Sequence, residues 1–192
     1  MGKKYFCYAI NGLDEPMFGN PLSALADYLN KGTPDGIHFN VVGGWDPRPS
    51  IDLFIHNVAA AAAGGYTVLL VGHSLGAMMM FYLADAMKKL SIGLPLVVSI
   101  DSTQWGTNSP NYTPYALAVA EPDTGQYWVP SNVDRWIHYR QPVYPGGGVV
   151  QLAAGNTHTK FENFERVEAH VVLPILPDIQ KTILDAVLAA AA

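Results

Sequence analysis

One serine, Ser74, stands inside Gly72-His73-Ser74-Leu75-Gly76, directly after the apolar run Tyr66-Thr67-Val68-Leu69-Leu70-Val71. This is a G-x-S-x-G pattern with a strand-like stretch before it and a helix-like stretch after it. A serine at such a corner occupies a strained backbone that holds its hydroxyl out at the end of a sheet. Glycines two residues either side let the strand and the helix approach without a Cβ clash. The chemistry on offer is nucleophilic attack. A serine oxygen becomes reactive once a base takes its proton and a third group orients that base.

Six histidines could supply the base. His73 adjoins the serine, but consecutive residues point to opposite sides of a strand, so it does not serve its neighbour. His38 and His138 fall in expected strands, and His56 falls on the helix before the serine's strand. All three read as packing or surface residues. His158 precedes the last strand, at the wrong end of a parallel sheet. His170 follows that strand, Lys160–Val167, and precedes the terminal helix, which places it on the same rim as Ser74. It is the expected base.

The orienting acid must reach the same rim. Asp101 ends Leu96-Val97-Val98-Ser99-Ile100, the strand after the serine's helix, and could accept the imidazole Nδ1–H. Asp134 and Asp123 are alternatives. The chain order is then Ser74, Asp101, His170, the order expected of this architecture. Acyl transfer also needs donors for the developing oxyanion. The Leu75 N–H at the helix start is one candidate. The Leu13 N–H, in the turn Asn11-Gly12-Leu13 after the first strand, is the other, with an ordinary tight turn as the alternative there.

The elements that would position these groups alternate. Strands are expected at Tyr5–Ile10, Ile37–Val42, Val68–Val71, Leu94–Ile100, Arg135–Tyr139 and Lys160–Val167. Helices are expected at Pro21–Leu29, Ser50–Ala63, Leu75–Leu90 and Pro177–Leu188. The Leu75–Leu90 stretch, with Met78, Met79, Met80, Phe81 and Leu83, is apolar nearly all round and should be buried, its methionines being packing residues. Such alternation gives an α/β fold: a doubly wound, mostly parallel sheet of about six strands with helices on both faces. No repeat or linker divides residues 1–192, so one domain is expected.

Between Gln104 and Asn132 a segment rich in Pro, Asn, Tyr and Trp lacks periodicity. It carries Trp105, Tyr112, Tyr115, Tyr127 and Trp128. A loop of that length is functional or hides short elements. Trp105, Tyr112 and Tyr127 could line an acyl pocket as part of a partial lid, or they could seal the edge of the sheet.

Composition excludes several classes. The chain has 192 residues, 49% of them hydrophobic, and a net charge of −5 with 11 scattered Lys and Arg, which argues against nucleic-acid binding. Cys7 is the single cysteine; it reads as a small core residue, without the basic partner or helix start a thiol nucleophile needs. Pro145-Gly146-Gly147-Gly148 lacks the Lys-Ser/Thr of a phosphate loop, and the histidines have no metal-ligand spacing, so neither a metal nor a cofactor is expected. No apolar stretch is long enough to span a membrane, and no signal peptide is read at the N-terminus. A cytoplasmic or phage-associated protein is expected. The Ala189–Ala192 tail is helix material that should fray.

Ile10-Asn11-Gly12-Leu13, the Gly72–Gly76 turn, Ser99-Ile100-Asp101 and Glu168-Ala169-His170 together resemble a minimal α/β-hydrolase, near its cutinase-like and small phage or bacterial esterase members. The resemblance covers nearly the whole chain. It implies the superfamily's fold, a Ser-His-acid triad and hydrolytic acyl transfer; the expected substrates of the site are carboxylic esters of small molecules or a polymer. The acid stands one strand earlier than in many relatives, and the disulfides of secreted cutinases are absent. A thioesterase, using the same triad, and a non-catalytic scaffold for binding or virion structure are the alternatives.

Overall fold

The computed structural model describes residues 3–12, 20–42, 50–102, 120–121, 126–142 and 148–192. In chain order these form β1 (Lys4–Ile10), α1 (Pro21–Gly32), β2 (Phe39–Val42), α2 (Ile51–Ala63), β3 (Tyr66–His73), α3 (Leu75–Lys89) and β4 (Leu94–Ile100). Then follow β5 (Ala120–Glu121), β6 (Gln126–Val129), β7 (Val133–Arg140), β8 (Val149–Leu152), β9 (Lys160–Glu165), a 3₁₀ turn (His170–Ile175) and α4 (Pro177–Ala191). Six strands make one sheet in the order β2-β1-β3-β4-β7-β9, and every pairing in it is parallel. The C-terminal ends of β3, β4 and β9 therefore share one rim.

The alternation of β3 shows how both faces are covered. Val68 and Leu70 pack with α2 and α3, against Phe54, Val58, Met78 and Phe81. Leu69 and Val71 pack with α1 and α4, against Leu22, Leu25, Ile179 and Ile183. A strand buried on both faces reads as a continuous apolar run, and that run is what the sequence shows here. The sheet is thus doubly wound. Helix α3 is buried from Leu75 to Met87, because a second small sheet covers the side that does not meet the large one. In it β6 pairs antiparallel with β5 and parallel with β8.

This small sheet is a departure from the sequence reading, which has no strand at Gln126–Val129 or Val149–Leu152. Segments of four residues are too short for alternation to declare itself. Within it Tyr127 is fully buried, its ring stacked on Phe81 at 4.7 Å, while Phe81 also meets Trp136 at 4.6 Å. Smaller departures concern element ends. Strand β9 stops at Glu165, strand β2 begins at Phe39 and leaves His38 exposed, and the last helix runs on to Ala191. The Ala191 carbonyl accepts the Tyr5 hydroxyl at 2.9 Å and the Lys3 ammonium at 3.2 Å, so the alanine tail is tied to β1. Cys7 is a buried core residue whose thiol burial pushes up to about 12. Among the described residues no helix is long and apolar enough to cross a membrane.

Candidate active site

Ser74 links β3 to α3 with φ 60° and ψ −124°. That is the mirror image of extended backbone, which costs a residue bearing a Cβ roughly 1–3 kcal/mol. The corner is held on both sides. Ser74 N–H donates to the Ile100 carbonyl at 2.9 Å, continuing the β3–β4 ladder, and the Ser74 carbonyl accepts Met78 N–H at 3.2 Å. Glycine is required around it by contact. A Cβ on Gly72 would strike the Gly76 backbone, and one on Gly76 would strike the carbonyls of Ile10 and Asn11. A Cβ on Gly12 would run into the Ser74 side chain, 2.7 Å from its Oγ. The end of β1 therefore lies directly against the serine.

Asp101 follows β4 with φ 51°, a left-handed conformation that aspartate tolerates better than most residues. It is fully buried. Its N–H donates to the Tyr139 carbonyl at 2.7 Å, and its Oδ1 accepts Gln141 N–H at 3.0 Å. The other oxygen, Oδ2, lies 2.6 Å from His170 Nδ1. An ionised carboxylate only accepts, so Nδ1 carries the proton, and in the neutral imidazole Nε2 is left as the basic nitrogen. Of the His170 side chain, 14% remains exposed.

The 3₁₀ turn that begins with His170 is tethered by Arg166. Its guanidinium donates to both Glu168 oxygens, at 3.1 and 3.0 Å, and to Asp178 Oδ2 at 2.7 Å. Burial works against the arginine's charge, but the two carboxylates outweigh it and raise its pKa. The segment carrying His170 is thus tied to the first turn of α4.

His73 is buried, 1% exposed, on the same face of β3 as Leu69 and Val71. Its ring stacks on that of His170, centroids 4.5 Å apart and planes 29° apart. Its Nε2 lies 3.1 Å from the His170 carbonyl oxygen. Strand alternation turns it away from Ser74, as expected, but the contact with the partner imidazole 97 residues away has no local signal in the sequence.

Behind Asp101, Trp136 Nε1 donates to Ser99 Oγ at 2.8 Å, and Ser99 Oγ in turn meets His138 Nδ1 at 2.8 Å. His138 is fully buried. Desolvation lowers its pKa to about 4, against opposing effects from the Asp101 charge and the Ser99 and Gly148 backbones. It is a neutral packing histidine. His56 and His38 are exposed, and exposed His158 pairs with Asp134 at 2.8 Å near the start of β7, the end of the sheet opposite the rim.

Of the other candidate residues, Leu75 opens α3, where the first N–H groups have no carbonyl one turn earlier to bond. Leu13, Trp105, Tyr112, Tyr115 and Asp123 lie outside the described residues. Tyr127, expected as an acyl-pocket wall or a seal on the sheet edge, is fully buried with its ring stacked on Phe81. Among the described residues no group of three or more His, Cys, Asp or Glu side chains could hold a metal ion.

No protein-family model matches the sequence, and no curated protein is similar to it. Solved structures are similar in fold. An esterase from Pyrobaculum calidifontis aligns over 100% of this chain and 77% of its own, with a TM-score of 0.57 at 10% identity. An esterase/lipase from an uncultured bacterium covers 98% and 77%, with a TM-score of 0.55 at 10% identity. An α/β serine hydrolase without a lid, from Xanthomonas campestris, covers 98% and 84%, with a TM-score of 0.52 at 14% identity. With a six-stranded parallel sheet, helices on both faces and these structural likenesses over nearly its full length, the chain has the fold of the α/β-hydrolases.

Proposed function

We propose that this protein is a serine hydrolase that cleaves carboxylic esters through an acyl-enzyme. Ser74 Oγ attacks the ester carbonyl carbon while its proton passes to His170 Nε2. The tetrahedral oxyanion is held by the Leu75 N–H and the Leu13 N–H. Collapse breaks the ester bond, and the alcohol leaves with the proton from His170. Water, deprotonated by the same imidazole, then attacks the acyl-serine and restores the enzyme. Asp101 keeps Nδ1 protonated and stabilises the imidazolium. The observation that carries the reading is the 2.6 Å bond from buried Asp101 to His170 on the rim where Ser74 occupies its strained corner.

The similar structures named as esterases and a serine hydrolase support ester cleavage. Within that class we place the chain among small, lidless or weakly lidded esterases of the cutinase-like kind. Hydrolysis of p-nitrophenyl butyrate should be measurable for the wild type and abolished in Ser74→Ala. Retention of most activity in that variant would end the reading. Faster turnover of butyryl-CoA than of the ester would move the substrate class to thioesters while leaving the mechanism intact.

A further inference from the structure

We infer that His73 is a positioning residue for His170, acting through the base rather than on substrate. The inference rests on the hydrolase reading above for its kinetic consequence, though not for its geometry. An imidazole that hands a proton between a serine and a leaving group must keep its plane and its Nε2 direction fixed. A bond at Nδ1 alone fixes one point and leaves the ring free to swing about it. In this protein the Nδ1 bond to Asp101 is one restraint. A second is the face of the His73 ring, stacked on that of His170 at 4.5 Å. A third is the approach of His73 Nε2 to the His170 main-chain carbonyl at 3.1 Å. A carbonyl only accepts, so His73 Nε2 must carry a hydrogen and donate it.

The placement follows from the fold. Leu69, Val71 and His73 share one face of β3, the face against which the 3₁₀ turn packs through Leu173. Where an aliphatic residue would continue that stripe, the chain puts a ring with a donor at its tip. The residue preceding the nucleophile thereby touches the base, and one short segment sets the positions of both. Misplacing a reacting group by about 1 Å can cost on the order of 100-fold in rate.

Two experiments test this. In the wild-type protein, ¹⁵N NMR should show His73 Nε2 protonated across the neutral pH range; an unprotonated Nε2 cannot donate to the carbonyl and overturns the inference whatever the variants do. His73→Leu, His73→Phe and His73→Gln are then compared for hydrolysis of p-nitrophenyl butyrate and for the downfield proton resonance of His170 Nδ1–H on Asp101. His73→Leu should lose about 10- to 100-fold in kcat with KM changed less than about threefold, and its Nδ1–H signal should shift or broaden. His73→Phe keeps the stack and His73→Gln keeps a donor, so each should recover part of the loss. Should the leucine variant fail to fold, the phenylalanine and glutamine variants decide by the same readouts. Wild-type kcat in the variants that fold, or a loss confined to KM, overturns the inference. The resonance is read without substrate, so it separates failure here from failure of the hydrolase reading, which an inactive wild type or an active Ser74→Ala would reveal.

Discussion

Replacing Asp101 by asparagine changes one atom and should reverse the proton arrangement of the site. Asp101 Oδ1 accepts the main-chain N–H of Gln141 at 3.0 Å, and Oδ2 accepts from His170 Nδ1 at 2.6 Å. An asparagine has one oxygen and one NH₂ to offer these two positions. The Gln141 N–H can only donate, so the oxygen must face it, and the NH₂ is left facing His170. The imidazole then has to accept at Nδ1, which moves its hydrogen to Nε2, the atom that must be bare to receive the Ser74 proton. The wrong tautomer costs a Ser-His-Asp triad about 10⁴-fold in kcat, or about 5.5 kcal/mol of barrier at 1.36 kcal/mol per decade. The assay is p-nitrophenyl butyrate hydrolysis at saturating substrate, with KM expected to hold within a few-fold. Asp134→Asn is the control, since that carboxylate is exposed and paired with His158 at the other end of the sheet; it should leave kcat unchanged. If Asp101→Asn keeps more than about a tenth of wild-type kcat, the tautomer argument is refuted.

Ser74→Gly should be more stable than Ser74→Ala by about 1 kcal/mol, because glycine adopts φ 60°, ψ −124° without the Cβ penalty; equal Tm values for the two inactive variants would show that the corner stores no strain. Buried His138 has its pKa lowered from 6.5 to about 4. The unfolded chain therefore takes up this proton first, so the contribution to stability is complete above about pH 6.5 and is lost as pH falls toward 4, amounting to about 3 kcal/mol at most. His138→Gln should flatten the fall of Tm across that window, and an unchanged slope would argue against the assignment. Arg166→Met removes the tether to Glu168 and Asp178 at a partly exposed position. It should lower Tm by no more than a few degrees, about 1 kcal/mol, yet reduce kcat several-fold by loosening the turn that bears His170. Addition of salt should weaken that kcat difference, and wild-type kcat in the variant would show that the tether does not position the turn.

The large sheet was legible because its signals are long and mutually consistent. The continuous apolar run of β3 and the all-apolar α3 admit few other readings, and glycine at 72 and 76 has a steric reason that contact with Ile10, Asn11 and Gly76 makes concrete. Asp101 and His170 could be picked out because parallel topology sends strand ends to one rim, so position after a strand carries spatial meaning. What lay hidden depends on tertiary contact. Tyr127 looks the same in sequence whether it lines a pocket or fills the space above Phe81. The strands around it are too short to announce themselves, and nothing local connects His73 to a carbonyl 97 residues away.

Ser74 and Asp101 hang on adjacent ladders of one sheet, β3–β4 and β4–β7. Ser74 N–H reaches the Ile100 carbonyl, and Asp101 N–H reaches the Tyr139 carbonyl on the next strand. The proposed nucleophile and acid are therefore parts of a single slab, while the proposed base lies on a separate piece of chain beyond the edge strand β9. On the hydrolase reading, reactivity then depends on the seating of a short turn against that slab. A change that leaves the slab whole but unseats that turn would silence the protein without unfolding it.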